Sequence, residues 1–263
     1  MDEGILYELN EIVEVLLSKS PDNSELAHAH ERLNVMRKDE LFIPVALQII
    51  REQDKPSLLW CASYILEYHI SIHWRRRTLT NKNIASTLSD ALKEQIVETF
   101  AYFVINRANY VSPEGVNFIM TLITIIMRID HEVERFRWLN FAVENFQNPN
   151  TCQMAFHIIR SFSESIMNTK DHTMSSGVRH QLKVYLGQIA PALCQDIGAI
   201  INECNISDDT KVEGFLLLSA LMLWITPMQL TDNLISLFLV YSRAQNGKVA
   251  ISAHKCLDLL YFR

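Results

Sequence analysis

The chain has 263 residues, 49% of them hydrophobic, which is enough to bury a large core as one or two domains or as a repeat array. Lys and Arg number 24 against 30 Asp and Glu, a net charge of −6, so the sequence lacks the basic balance that nonspecific nucleic-acid binding requires. Seven Gly and seven Pro argue against long disordered or all-β organisation.

The N-terminus, MDEGILYELNEIVEVLL, is acidic and heptad-like rather than a signal peptide, which needs a basic start and an unbroken apolar core. Residues 2–18 form a first amphipathic helix, with Ile5, Leu6, Leu9, Ile12, Val13, Leu16 and Leu17 on one face. Ser20-Pro21-Asp22-Asn23 is a turn, and Asn23 or Ser24 caps a helix over about 23–36. Asp39 caps a third, about 40–53, and Asp54-Lys55-Pro56 breaks it. Pro56 opens the next helix, where a missing N–H costs nothing. In it Leu58, Leu59, Ala62, Ile65, Leu66, Ile70 and Trp74 make one apolar face, with Ser63, Glu67 and Ser71 opposite. This helix is apolar enough to be sandwiched between neighbours.

A polar connection runs from Trp74 to Asn83, and a helix over about 84–107 comes next. Ser112 and Pro113 start a strongly apolar helix, 113–128. Asp130 starts one over about 131–146, and Asn148-Pro149-Asn150 turns into another, 150–167. Residues 168–176 read as a loop, then a long helix, 177–203, is interrupted by Gly187 and Pro191. Helices 210–226, 229–242 and 248–262 finish the chain. The pattern predicts an all-α, HEAT-like superhelix (solenoid) of about six antiparallel helix pairs, spaced about 38–50 residues apart. A helical bundle and a tetratricopeptide array are the rival architectures; the latter needs a regular period of about 34 residues, which is missing.

Trp60, Ala62, Leu66, Glu67, Ile70 and Trp74 match the aromatic-x-Ala-x-x-x-Leu-Glu-x-x-Ile-x-x-x-Trp pattern of the second repeat in the importin-β (karyopherin) family, which this stretch resembles. Residues 116–149, NPNTCQMAFHIIRSFSESI at 148–166, HQLKVYLGQIAPALCQDIGAII at 180–201 and the segment 218–263 are, in order, similar to exportin repeats. The turn at Trp224-Ile225, and Ala253, Cys256 and Leu257 behind it, look most like exportin six, with exportin five and the leucine-rich-signal exportin as nearby options. The family turn often reads Asp-Trp-Pro, where this sequence has Ile129-Asp130-His131-Glu132.

The resemblance implies a single solenoid over 1–263, importin-β N-terminal-like over 1–75 and exportin-like over 76–263. It implies a nuclear export receptor, not an enzyme, that shuttles between nucleus and cytoplasm without a cofactor. The implied partners are the Ran GTPase in its GTP form, nuclear pore proteins and a protein cargo, of which actin–profilin is one. It also implies that Tyr64 and Glu67 contact Ran or another partner. Family members are several times longer, so a fragment, a short isoform or a degenerate relative is expected. The other reading is a general HEAT scaffold without Ran dependence.

Little else in the sequence carries chemistry. His69 and His73 share a helix face but have no third metal ligand. His28 and His30 point to different faces, and His254 and Cys256 cannot meet on one helix. No phosphate-binding glycine motif is present, and no catalytic or metal-ligating set emerges. Trp74-Arg75-Arg76-Arg77 is the one basic cluster, read as a solvated connection. Trp60, Trp74, Trp138 and Trp224 are assigned to packing between helices. Cys61, Cys152, Cys194, Cys204 and Cys256 form no CxxC pair, so reduced thiols of the cytosol or nucleus are expected. No charge-free run of about 18 apolar residues is apparent, so neither membrane insertion nor direct nucleic-acid binding is expected.

Overall fold

The computed structural model describes residues 3–18, 22–74, 87–130, 133–167, 176–203 and 205–261. Among them every regular element is helical, so the all-α expectation holds. The chain divides into two compact units, Met1–Asp130 and His131–Arg263.

The first unit contains α1 (Glu3–Leu17), α2 (Asn23–Lys38), α3 (Ile43–Glu52), α4 (Pro56–His73), α5 (Asp90–Asn106) and α6 (Pro113–Ile129). α1 packs on α2 and α3 on α4, while α2, α4 and α6 form a layer, with α3 and α5 side by side in a second. Arg51 Nε donates to Thr99 Oγ1 at 3.1 Å, and Arg107 Nη1 donates to the Ile50 carbonyl at 2.9 Å. These bonds join the C-terminal end of α3 to the second half of α5 and its C-cap. In the other layer Gly115, in the first turn of α6, meets Leu59 in the first turn of α4: a Cβ there would lie 2.8 Å from Leu59 Cδ1 and 2.6 Å from Val111 Cγ1. The missing side chain lets α6 seat closely and parallel beside α4. Parallel neighbours within a layer are the mark of tandem helix pairs, each burying the face its predecessor leaves open.

The second unit repeats this logic. It holds α7 (Glu134–Asn145), α8 (Cys152–Met167), α9 (Ser176–Glu203), α10 (Asp208–Met222), α11 (Asp232–Tyr241) and α12 (Gly247–Tyr261). One layer is α8, α10 and α12; the other has α9 and α11. Gln153 accepts from Thr210 at the start of α8 and α10, and Ser163 Oγ donates to Ala220 near their ends, both at 3.4 Å. Asn246 donates to Asp208 at 2.9 Å, aligning the starts of α10 and α12, and Tyr241 Oη donates to the Ile201 carbonyl at 3.1 Å, aligning the ends of α9 and α11. Between α8 and α10 sits a charged cluster. Arg160 Nε donates to Glu213 Oε1 at 2.7 Å, Arg160 Nη1 to Glu164 at 3.2 Å, and His157 Nδ1 lies 3.5 Å from the same Glu213 oxygen. The fold is thus HEAT-like in each unit.

Several local expectations are corrected. The cap of α2 is Asp22, which accepts from the Ser24 N–H, rather than Asn23 or Ser24. Asp39 caps a 3-10 turn, Glu40–Phe42, and not a long helix; α3 begins only at Ile43, with Pro44 in its first turn where proline belongs. Ser89 caps α5, so the helix starts at Asp90 and not near residue 84; residues 75–86 lie outside the described residues. Asp130 closes α6 instead of opening α7, whose N-cap is Val133. α9 runs unbroken through Pro191. α9 also contains a 24-residue stretch, Arg179–Asn202, long and apolar enough by composition to cross a membrane. Its Leu182, Leu186, Ala190, Cys194, Ile197 and Ile201 are buried inside the unit. α10 ends at Met222, short of the expected 226; a turn through Trp224 follows, and Pro227 opens a 3-10 turn, Pro227–Gln229, before α11. Trp224 Nε1 reaches back from that turn to Ser163 Oγ at 2.7 Å, fixing it against α8.

Cys61, Cys152, Cys194 and Cys256 are buried, and Cys61, Cys194 and Cys256 are free thiols; Cys204 lies outside the described residues. Burial pushes the Cys61 and Cys194 thiols up to about 12. Cys256 is raised as well, by burial first and then by Cys194, and its Sγ donates to the Phe215 carbonyl at 3.3 Å.

Candidate partner-binding face

α4 positions both residues singled out for partner contact. All seven positions of its expected apolar face are buried, Trp74 among them. Ser63, expected on the opposite face, is also buried, as are Cys61 and His69. The reason is contact from several sides: α1, α2, α3 and α6 all pack on α4. Only a narrow strip remains open, and Trp60, Tyr64 and Glu67 stand on it.

Tyr64 is half-buried and held from two sides. Its hydroxyl donates to Asn34 Oδ1 of α2 at 3.0 Å. The Arg37 guanidinium sits 4.0 Å from its ring centroid and 5.2 Å from that of Tyr68. Trp60, one turn earlier, lies near-parallel to Tyr64 at 19° with centroids 5.7 Å apart. Glu67 is exposed. Tyr64 and Glu67, with Trp60, Ser63, Phe118, Thr121 and Leu122, line a cleft of about 130 Å³ between α4 and α6. Trp60 and Phe118 also line a wider, mostly apolar cleft of about 490 Å³, together with Leu16, Leu17, Pro56 and Glu114. The two expected contact residues are therefore brought together. Asn34 and Arg37 join them without having been expected, because their only sequence signal is a three-residue step on a different helix from the one they serve.

His69 and His73 do share a face, with ring centroids 5.8 Å apart. Among the described residues no group of three His, Cys, Asp or Glu is placed to hold a metal. His69 is fully buried, with the backbone of Arg37 and Asp39 beside its ring. Its pKa is lowered, chiefly by burial and then by His73, while Glu40 and the backbone at Arg37 and Asp39 pull the other way. A lowered folded-state value means that the unfolded chain binds the proton more readily. His69 thus leaves stability intact above its ordinary 6.5 and removes it as pH falls below that. We expect the melting temperature of the first unit to drop between pH 7 and 5, and His69→Phe to flatten that drop; an unchanged pH profile in the variant would remove His69 as its cause.

Trp74 and Trp138 are buried packing residues, as expected, whereas Trp60 stays partly open at the mouth of both clefts. His254 is exposed and Cys256 buried, so they do not meet. The Arg75-Arg76-Arg77 cluster lies outside the described residues.

No curated protein matches this chain. Residues 29–101 match the family model of the importin-β N-terminal domain, a stretch that begins in α2, ends in α5 and has α4 with Tyr64 and Glu67 at its centre.

Proposed function

We propose that the chain is the amino-terminal HEAT solenoid of an exportin-like karyopherin. It binds Ran in its GTP form and a protein cargo, and shuttles between nucleus and cytoplasm through contacts with nuclear pore proteins. The observation that carries this reading is the importin-β N-terminal domain over residues 29–101, placed on parallel, HEAT-like helices. Members of that family are transport receptors rather than enzymes, and this domain is their Ran-binding region. Tyr64 and Glu67 are the proposed contacts, supported by their shared cleft on α4. The extension to a single solenoid over 1–263, and to export of actin–profilin in the manner of exportin six, rests on the order of motifs in residues 116–263.

An array of nearest-neighbour helix pairs can bend in small steps, so two partners that favour the same curvature assist each other's binding, and the coupling is reciprocal. The test is a pull-down of purified Ran loaded with GTP or GDP by the immobilised chain. Retention of the GTP form alone is expected. Equal retention of both forms, or of neither, would overturn the Ran reading and leave a HEAT scaffold without nucleotide dependence.

A further inference from the structure

The two clefts between α1, α4 and α6 differ in chemistry, and together they specify a ligand. The narrow one, about 130 Å³, is far below the roughly 300–1,000 Å³ of small-molecule pockets and suits one side chain. Aromatic and apolar groups wall it: Trp60, Tyr64, Phe118 and Leu122. Among the described residues Glu67 is its only charged lining residue, and it is exposed. Ser63 also lines it, and its hydroxyl is buried with no hydrogen-bond partner among the described residues. A buried hydroxyl without a partner is costly unless a ligand or water satisfies it. Aromatic rings, a carboxylate and an unsatisfied hydroxyl together suit a long basic side chain. Its methylenes lie on the rings, its cation is held by the carboxylate and the ring faces, and an N–H reaches the hydroxyl. Arg37 places a guanidinium 4.0 Å from the Tyr64 ring centroid, so this ring already carries one cation contact.

The wide cleft, about 490 Å³, shares Trp60 and Phe118 with the narrow one and adds Leu16, Leu17 and Pro56, with Glu114 and His30 also lining it. Among the described residues it has no buried polar group left to satisfy, and it takes a large apolar side chain. Ser57 in the wide cleft and Tyr64 in the narrow one are seven residues apart on α4, about 10 Å along the axis. Three residues of polyproline II chain make one turn, span about 9 Å and bring the side chains back to the same face. The carboxylates Glu67 and Glu114 favour a cationic occupant and disfavour an acidic one.

We propose that this face docks a polyproline II segment of a partner protein that carries an Arg or Lys and, three residues away, a large apolar residue. The basic side chain enters the cleft at Glu67, and the apolar one enters the cleft at Leu17 and Pro56. The proposal rests on the karyopherin reading and deepens it by giving the chemistry that its α4 contacts recognise.

The experiment uses the full chain and a fluorescein-labelled 12-residue peptide with one Arg and one Leu three positions apart, read by fluorescence anisotropy. Salt-sensitive binding is expected, weakened about tenfold by Glu67→Lys on the protein or Arg→Gln on the peptide. Phe118→Ala on the protein, or Leu→Ala on the peptide, is expected to weaken it similarly. Asp258→Lys, an exposed charge reversal in the other unit, should leave binding unchanged. Glu67 is exposed, so its variant should keep the helical circular-dichroism spectrum of the parent. Absent binding, or binding indifferent to Glu67→Lys, overturns the proposal. Running the same proteins against GTP-loaded Ran separates the two readings. Ran binding without peptide binding removes this inference alone, and Glu67-dependent peptide binding without Ran binding removes the karyopherin reading alone.

Discussion

Trp74→Ala should destabilise the first unit by about 3–5 kcal/mol, the usual cost of emptying a buried tryptophan site. Trp74 closes α4: its N–H donates to the Ile70 carbonyl at 3.3 Å, and its side chain is only 1% exposed. The preceding His73 carbonyl accepts from the Leu88 N–H at 2.9 Å, so the end of α4 also anchors the approach to α5. Truncation leaves a void where the chain turns from one helix pair to the next. Trp74→Phe is a useful companion. The Trp74 indole N–H is buried with no partner among the described residues, so phenylalanine loses some packing but also removes an unsatisfied donor. The alanine variant should speed hydrogen exchange in α3, α4 and α6 far more than the phenylalanine variant does. Equal acceleration by both would place the contribution of Trp74 in its indole edge rather than in its bulk.

The second large effect is expected at Glu213. Its side chain is 13% exposed and receives Arg160 Nε at 2.7 Å, with His157 at 3.5 Å. Burial raises the Glu213 pKa, but the His157 hydrogen bond and the Arg160 charge outweigh it, and the net value is lowered. Removing one partner strands a buried charge, so Glu213→Ala should cost about 3–5 kcal/mol in the second unit. Glu213→Leu with Arg160→Met, which removes both charges, should recover most of that loss. The lowered value sets the sign of the pH dependence. Glu213 contributes its full stability above the ordinary carboxylate value of 4.5 and loses it as pH falls through its lower folded-state value. Acid unfolding of the second unit should therefore lose its dependence on this group in the double variant. Thermal melts of the parent and both variants at pH 7 and pH 4 would show it, and a double variant no more stable than Glu213→Ala would contradict the ion-pair account.

The apolar stripe of α4, the Ser-Pro start of α6 and its serine cap are legible in the sequence because local geometry fixes them. Spacing of 3.6 and the chemistry of a first turn need no knowledge of neighbours. The burial of Ser63 and His69 is not legible. Periodicity assigns one buried face, whereas α4 is contacted by four other helices and buries two. The stacking of Arg37 on Tyr64 joins residues 27 apart in sequence, and no pattern within either helix implies it. Pro191 misleads because its local cost is met by the burial of α9, whose Leu186, Ala190, Cys194 and Ile197 lie inside the unit. Tyr64 and Glu67 are nameable only through family resemblance; their shared cleft with Trp60, Ser63 and Phe118 depends on how α6 seats against α4, and that rests on Gly115.

The buried thiols amount to a set of clocks. Cys61 reads the first unit, and Cys194 and Cys256 read the second. In the closed protein each is shielded and protonated, so an alkylating reagent can act only when its helix pair opens. The labelling rate at each site then measures the opening frequency of that part of the array. A ligand that stiffens one unit would slow its own clock and leave the other running.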